Sequence, residues 1–140
     1  MMTFLQAIAH QEGFNIGGSR SQRNNNPGDI DWGPFAQHHG ATGLETIPHG
    51  YNETPRFAVF PTPEAGFAAM RALLQIPGVF GHAPGQPGVR RLLSGYAGAT
   101  VREALYRWAP PSDGNNTSAY EKDVCANAGC QPTDCIDSLV

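Results

Sequence analysis

Apolar residues at the start of the chain recur with the helical period. Phe4, Leu5, Ile8 and Ala9 fall on one stripe, and Thr3 with Gln6 has the spacing of a capping box. This predicts a first helix that ends at Gly13, a residue suited to a C-cap. Glu12 lies four residues after Ile8 and seven after Leu5, so it falls on the apolar stripe in the last turn. Burial and the negative end of the helix dipole both disfavour an ionised carboxylate there, and both should raise its pKa. A helix selected for stability alone would place Lys or Arg at that position.

Residues 15–56 show no helical period. Asn15, Gly17, Gly18, Ser19 and Ser21 have loop chemistry, and Arg23-Asn24-Asn25-Asn26-Pro27-Gly28-Asp29 reads as an Asn-rich turn. GLETI (43–47) and RFAVF (56–60) predict two short strands of a small hairpin around a loop with Pro48, Gly50, Asn52 and Pro55. Thr62-Pro63-Glu64 starts a helix with Phe67, Met70, Leu73 and Leu74 on its buried face, and Pro77 stops it. The Gly- and Pro-rich residues 77–88 read as a loop, followed by a short helix over Val89 to Leu93. Thr100 and Glu103 form a second capping box, before a helix with Ala104, Leu105 and Trp108 on its apolar side. Pro110-Pro111 ends that helix. Asn115 to Ser118 opens another, which contains Tyr120 and Val124 and closes near Gly129, and Thr133 caps a last short turn. The predicted class is mainly α (α+β): one domain over 1–140, with five to six short helices and a small β-hairpin after the first.

Composition narrows the function classes. A chain of 140 residues fits one compact domain. Charged residues are only 15%, and the 17 Gly and 12 Pro predict short helices and long ordered loops. The net charge of −3 and the lack of a basic tract argue against a sequence-independent grip on nucleic-acid phosphates. No run of eighteen apolar residues is present, so no membrane span is predicted. The N-terminal MMTFLQAIAHQEG lacks the basic and apolar regions of a secretory signal. Action in the periplasm or outside the cell would then need another export route, or release by phage or lysis. Cys125, Cys130 and Cys135 do not have a zinc spacing. They read equally as one Cys125–Cys130 disulfide with a free thiol, or as three thiols.

Four strings carry a resemblance: Arg23–Asp29 (RNNNPGD), Phe57–Gly66 (FAVFPTPEAG), Arg107–Pro111 (RWAPP) and Asn115–Tyr120 (NNTSAY). In order and spacing, over about 110 residues, the chain resembles the lysozyme-like superfamily. The likeness is to goose-type lysozymes, soluble lytic transglycosylases and phage-associated muramidases, above all to members built on R-N-N-N-P-G-N. The resemblance implies a lysozyme-like domain whose first helix ends in the catalytic acid, here Glu12. It also implies cleavage of peptidoglycan glycan strands at the β-1,4 bond between N-acetylmuramic acid and N-acetylglucosamine. The agent would be a lytic transglycosylase or a muramidase, monomeric and without a cofactor. Two departures stand out: Asp29 replaces the final Asn of the string, and residues 32–55 match no motif.

Such cleavage needs a carboxyl that stays protonated near neutral pH, and Glu12 has the setting for it. A hydrolase adds a second carboxylate. Asp29 is the first choice, with Asp31, Glu45 and Glu53 as further candidates. A transglycosylase uses the muramic 6-hydroxyl instead of water, and the Glu serves first as acid and then as base. Arg23, Asn25, Asn26 and Tyr120 are the candidate substrate-binding residues, although each Asn is equally suited to tying the turn. Trp108 and Phe60 are assigned to the core, and Glu64 to a first-turn helix charge. Two other classes compete. A zinc-dependent peptidoglycan peptidase could draw on His10, His38, His39, His49 and His82, but H-E-x-x-H is missing and no metal ligand is assigned. A non-catalytic wall-binding or virion structural module is the other.

Overall fold

The computed structural model describes residues 1–140. The chain divides into two compact units, one of Ile8–Ala72 and one of Met1–Ala7 with Leu73–Val140.

Helix α1 (Phe4–Gln11) contributes residues to both units. It starts at the expected capping box. The Thr3 N–H donates to Gln6 Oε1 at 2.9 Å, and the Gln6 N–H to Thr3 Oγ1 at 3.1 Å. Phe4, Leu5, Ile8 and Ala9 are all buried. In the Ile8–Ala72 unit two single-turn helices follow, α2 (Arg20–Arg23) and α3 (Pro34–His38), where no helix was expected. Neither is long enough to show a hydrophobic period. α2 is set by a cap, Ser19 Oγ accepting from the Gln22 N–H at 3.3 Å. Strands β1 (Gly43–Leu44) and β2 (Ala58–Val59) pair antiparallel, Gly43 opposite Val59 and Leu44 opposite Ala58. α4 (Pro63–Leu74) begins where predicted, with Thr62 Oγ1 accepting from the Ala65 N–H at 3.1 Å. Ile8, Ala58, Phe60 and Met70 are the fully buried apolar centre of this unit.

In the other unit, β3 (Val79–Ala83) and β4 (Gln86–Ser94) form a second antiparallel hairpin. It occupies the segment expected to be a loop and a Val89–Leu93 helix. Only Leu92 is buried among the nine residues of β4, and the register shifts twice. An alternating pattern therefore never forms in the sequence, and the pairing rests on the backbone. The Arg90 guanidinium lies 3.9 Å over the Phe80 ring and ties the two strands by a side-chain contact. α5 (Val101–Trp108) carries the complete Thr100/Glu103 capping box and packs on β4 and on α6 (Thr117–Ala128). α6 is capped by Asn116 and ends at Gly129, whose φ of +66° suits glycine. Val101, Leu105, Val124 and Ile136 are fully buried. The last turn, Ile136–Ser138, follows Cys135 without a side-chain cap, so Thr133 does not serve there. All three cysteines are thiols, and the Cys130 thiol donates to Cys125 Sγ at 3.8 Å.

The architecture is a mixed α+β fold: six helices with two separate two-stranded antiparallel sheets. This corrects the expectation of a mainly α, lysozyme-like domain with one small hairpin. The second hairpin supplies most of the strand residues, and its weak sequence pattern is the reason it was not foreseen. No helix is long and apolar enough to cross a membrane.

Candidate active site

Glu12 closes the last turn of α1, its N–H donating to Ile8 O at 3.0 Å, and Gly13 at φ +78° turns the chain away. The final carbonyls of a helix have no partner within it. Here the N–H groups of Glu12, Gly13 and Phe14 serve Ile8, His10 and Ala9, and two serines hold the carbonyls that follow the helix. Buried Ser21 donates Oγ to Glu12 O at 2.8 Å, and Ser19 donates Oγ to Gly13 O at 2.6 Å. Residues that read as loop chemistry thus fix the backbone of the candidate acid.

The Asn-rich turn is knotted by its own side chains. Asn26 is fully buried and donates Nδ2 to Ile30 O and Ala58 O, both at 2.9 Å, while its Oδ1 accepts from the Ile30 N–H at 2.9 Å. All three bonds run inward, so this side chain ties turn to strand and offers no face to a sugar. Asn25 adopts φ +50°, which Asn tolerates better than most residues, and donates Nδ2 to Phe60 O at 3.1 Å. Gly66 of α4 lies against this turn. A Cβ there would sit 2.2 Å from Asn25 O and 2.6 Å from Pro27 Cδ.

Asp29 also has a positive φ, +49°. Its carboxyl hydrogen-bonds the carboxyl of Glu12. Burial, then the charge of Glu12, then that hydrogen bond push the Asp29 pKa up to about 8, against a weaker pull from Arg20. Asp29 Oδ1 is buried without a hydrogen-bond partner. Two carboxyls in such contact cannot both ionise readily, so the pair holds a proton in common near neutral pH.

The other candidate carboxylates are engaged by arginines. Arg20 donates Nη2 to Glu45 Oε2 at 2.7 Å and Nε to Oε1 at 3.0 Å. Glu45 also accepts from Asn24 Nδ2 and from the N–H groups of Arg56 and Phe57. Burial alone would raise the Glu45 pKa, but these donors outweigh it and hold the carboxyl at about 2. Glu53 pairs with Arg23 at 2.9 Å, and exposed Asp31 with Arg56 at 2.8 Å. Of the four carboxylates considered as a second acid, Asp29 is the one that meets Glu12.

Arg23 also donates Nη1 to Gly18 O at 3.0 Å and lies 4.4 Å over the Tyr51 ring. It is half-buried and braces the loops around the turn. Tyr120 belongs to the other unit, buried on α6. Nowhere do three His, Cys, Asp or Glu side chains gather in a way that could hold a metal ion. Among the histidines the zinc alternative needs, His10 hydrogen-bonds Asn15 at 3.1 Å and His39 stacks on Phe35 at 4.2 Å.

Sequence reasoning passed over Arg20 and Asn24, the partners of Glu45. The available signal was Glu45 itself, an acid inside a short strand-like segment, which needs a cation if it is buried. Compared with the models of known protein families and with curated proteins, the sequence matches none.

Proposed function

We propose that the Ile8–Ala72 unit cleaves glycan strands of peptidoglycan, with Glu12 as the general acid at the β-1,4 bond between N-acetylmuramic acid and N-acetylglucosamine. The observation that carries this is the carboxyl pair: Glu12 at the end of α1 hydrogen-bonds Asp29, and the pair retains a proton at a pH where isolated carboxyls are ionised. The choice of glycan comes from the RNNNPGD, FAVFPTPEAG, RWAPP and NNTSAY strings.

The same contact favours one route. Inverting glycosidases hold their carboxyls roughly 6.5–9.5 Å apart, and retaining ones roughly 5–5.5 Å, leaving room for water or sugar between them. Carboxyls in direct hydrogen-bond contact leave no such room. Asp29 then acts on Glu12 and not on the substrate, holding beside it the proton that the pair shares. Glu12 protonates the leaving glycosidic oxygen. The 6-hydroxyl of the muramic residue attacks its own C1, and its proton passes to the Glu12 carboxylate. The products are an intramolecular 1,6-anhydro end and a free 4-hydroxyl, and the enzyme regains its proton. The polymer lies outside the cytoplasm, so the site would act in the periplasm or outside the cell.

Digestion of purified peptidoglycan, with mass spectrometry of the fragments, tests this. Anhydro-muramic ends are expected, and Glu12→Gln should abolish their release. Reducing ends would replace the transglycosylase route with hydrolysis. Undiminished cleavage by Glu12→Gln would remove the proposal altogether.

A further inference from the structure

The Met1–Ala7/Leu73–Val140 unit contains a cavity of about 860 Å³, lined by β4, by α5 and by Pro110 to Ser112. That volume is in the range of small-molecule sites, roughly 300–1,000 Å³. Its wall is cationic although the chain is acidic overall. Four of the nine Lys and Arg residues line it, Arg90, Arg91, Arg102 and Arg107, against one carboxylate, Glu103.

Two of these guanidiniums are neutralised in place. Arg90 grips Glu103 at 2.6 Å, and Arg102 grips Glu121 at 2.8 Å. The other two have no carboxylate. Arg107 donates Nε to Gly95 O and Nη1 to Leu93 O, both at 3.2 Å, which leaves Nη2. Arg91 is exposed and makes no ion pair. Beside them the lining carries apolar surface that is unusually open: Val89 and Leu93 are each 49% exposed, and Tyr106 is 42% exposed. Planar cations without a carboxylate partner, next to uncovered apolar side chains, suit a ligand that has both features. A guanidinium binds a carboxylate in bidentate fashion, and the exposed Leu and Tyr faces gain by covering an apolar body.

We infer that this cavity binds a small organic carboxylate with an apolar or aromatic body, its anionic group held by Arg91 and Arg107 and its body by Leu93 and Tyr106. The site lies apart from the carboxyl pair in the chain's division and does not depend on the glycan-cleaving proposal.

The test is an NMR titration of the full chain with three probes: 4-phenylbutyrate, 4-phenylbutanol and acetate. Phenylbutyrate should bind saturably, with a Kd on the order of 1 mM for a ligand of that size. It should shift resonances of Arg91, Leu93 and Tyr106. The alcohol and acetate should each bind at least fivefold more weakly. Arg91→Ala should weaken phenylbutyrate about fivefold or more and leave the alcohol unchanged. Because Arg91 is exposed and unpaired, this variant keeps the fold, which its spectrum verifies. Tyr106→Ala should weaken both aromatic probes. Equal binding of acid and alcohol, no effect of Arg91→Ala, or shifts confined to other regions would each overturn the inference.

Discussion

Arg20 and Glu45, 25 residues apart, meet side-on in a bidentate ion pair, with the Glu45 side chain only 1% exposed. The pair clamps α2 to the segment that leaves β1. Its carboxyl lies at about 2 against an ordinary 4.5. The stabilisation is therefore complete above pH 4.5 and is lost as pH falls through 2. A shift of this size corresponds to about 3 kcal/mol. Urea midpoints should fall between pH 5 and pH 2 in the wild type, and this dependence should flatten in Glu45→Gln. That variant should also lose about 3 kcal/mol at pH 7, because the clamp loses its charge and three donors point at a weaker acceptor. An unchanged midpoint at pH 7 would show that the clamp is idle.

Asp29 has the opposite sign. Its carboxyl is raised from 3.8 to about 8, so the folded state holds a proton that the unfolded chain has released. That contribution is complete below pH 3.8 and is lost as pH rises through 8. Asp29→Asn removes the cost of ionising the pair and places Asn at φ +49°, a conformation Asn accepts. The variant should be more stable than the wild type at pH 8.5 by about 1–2 kcal/mol, since solvent screens part of the penalty at a half-buried group. In the cleavage assay the amide can still donate a hydrogen bond to Glu12 but brings no titratable proton to the pair. Activity at pH 7 should fall about tenfold or more and the optimum should move to lower pH. Loss of activity at every pH would instead make Asp29 a direct participant.

Gly66→Ala should destabilise the protein although Ala is the better helix former by about 1 kcal/mol. The added methyl collides with Asn25 O and Pro27 Cδ, which are parts of a turn that cannot yield without disturbing Asn26. The expected loss is about 2 kcal/mol or more by thermal or urea unfolding. A gain in stability would show that α4 can move away from the turn.

Asn26→Ala orphans the Ile30 N–H and the Ala58 carbonyl in a buried setting and leaves Ile30 O with only the Ala58 N–H. A loss of about 3 kcal/mol is expected. Asn26→Asp should do at least as much damage, because a carboxylate cannot donate to two carbonyls. If either variant retained wild-type stability and lost only glycan binding, Asn26 would be a substrate contact after all.

The parts of the fold visible in the sequence are those written by local chemistry. The Thr3, Thr62 and Thr100 caps each start a helix where the spacing placed it. Glu12 could be singled out because a carboxylate on an apolar stripe is a conflict between neighbouring residues. The missing parts are those settled at longer range. The β3–β4 hairpin exposes nearly all of β4 and so has no alternation to read. Asn25 and Asn26 are adjacent and chemically identical, and only the packing of Ala58 and Phe60 around them gives them different partners. Glu45 could be weighed as an acid, but its neutralisation depends on Arg20, Asn24 and two N–H groups from β2's approach.

The serine-capped end of α1 has a consequence for the order in which the candidate site assembles. Ser21 reaches Glu12 across nine residues, and Asn26 reaches Ile30 across four, whereas the Arg20–Glu45 clamp spans 25. Short loops close at the least entropic cost. The two acids should therefore be drawn together early, by a segment that organises itself, and locked only later by the clamp. Folding kinetics would show this as slower folding in Ser21→Ala, and as faster unfolding with little change in folding rate in Glu45→Gln. The reverse pattern would mean that the distant ion pair forms first and the acids are its followers.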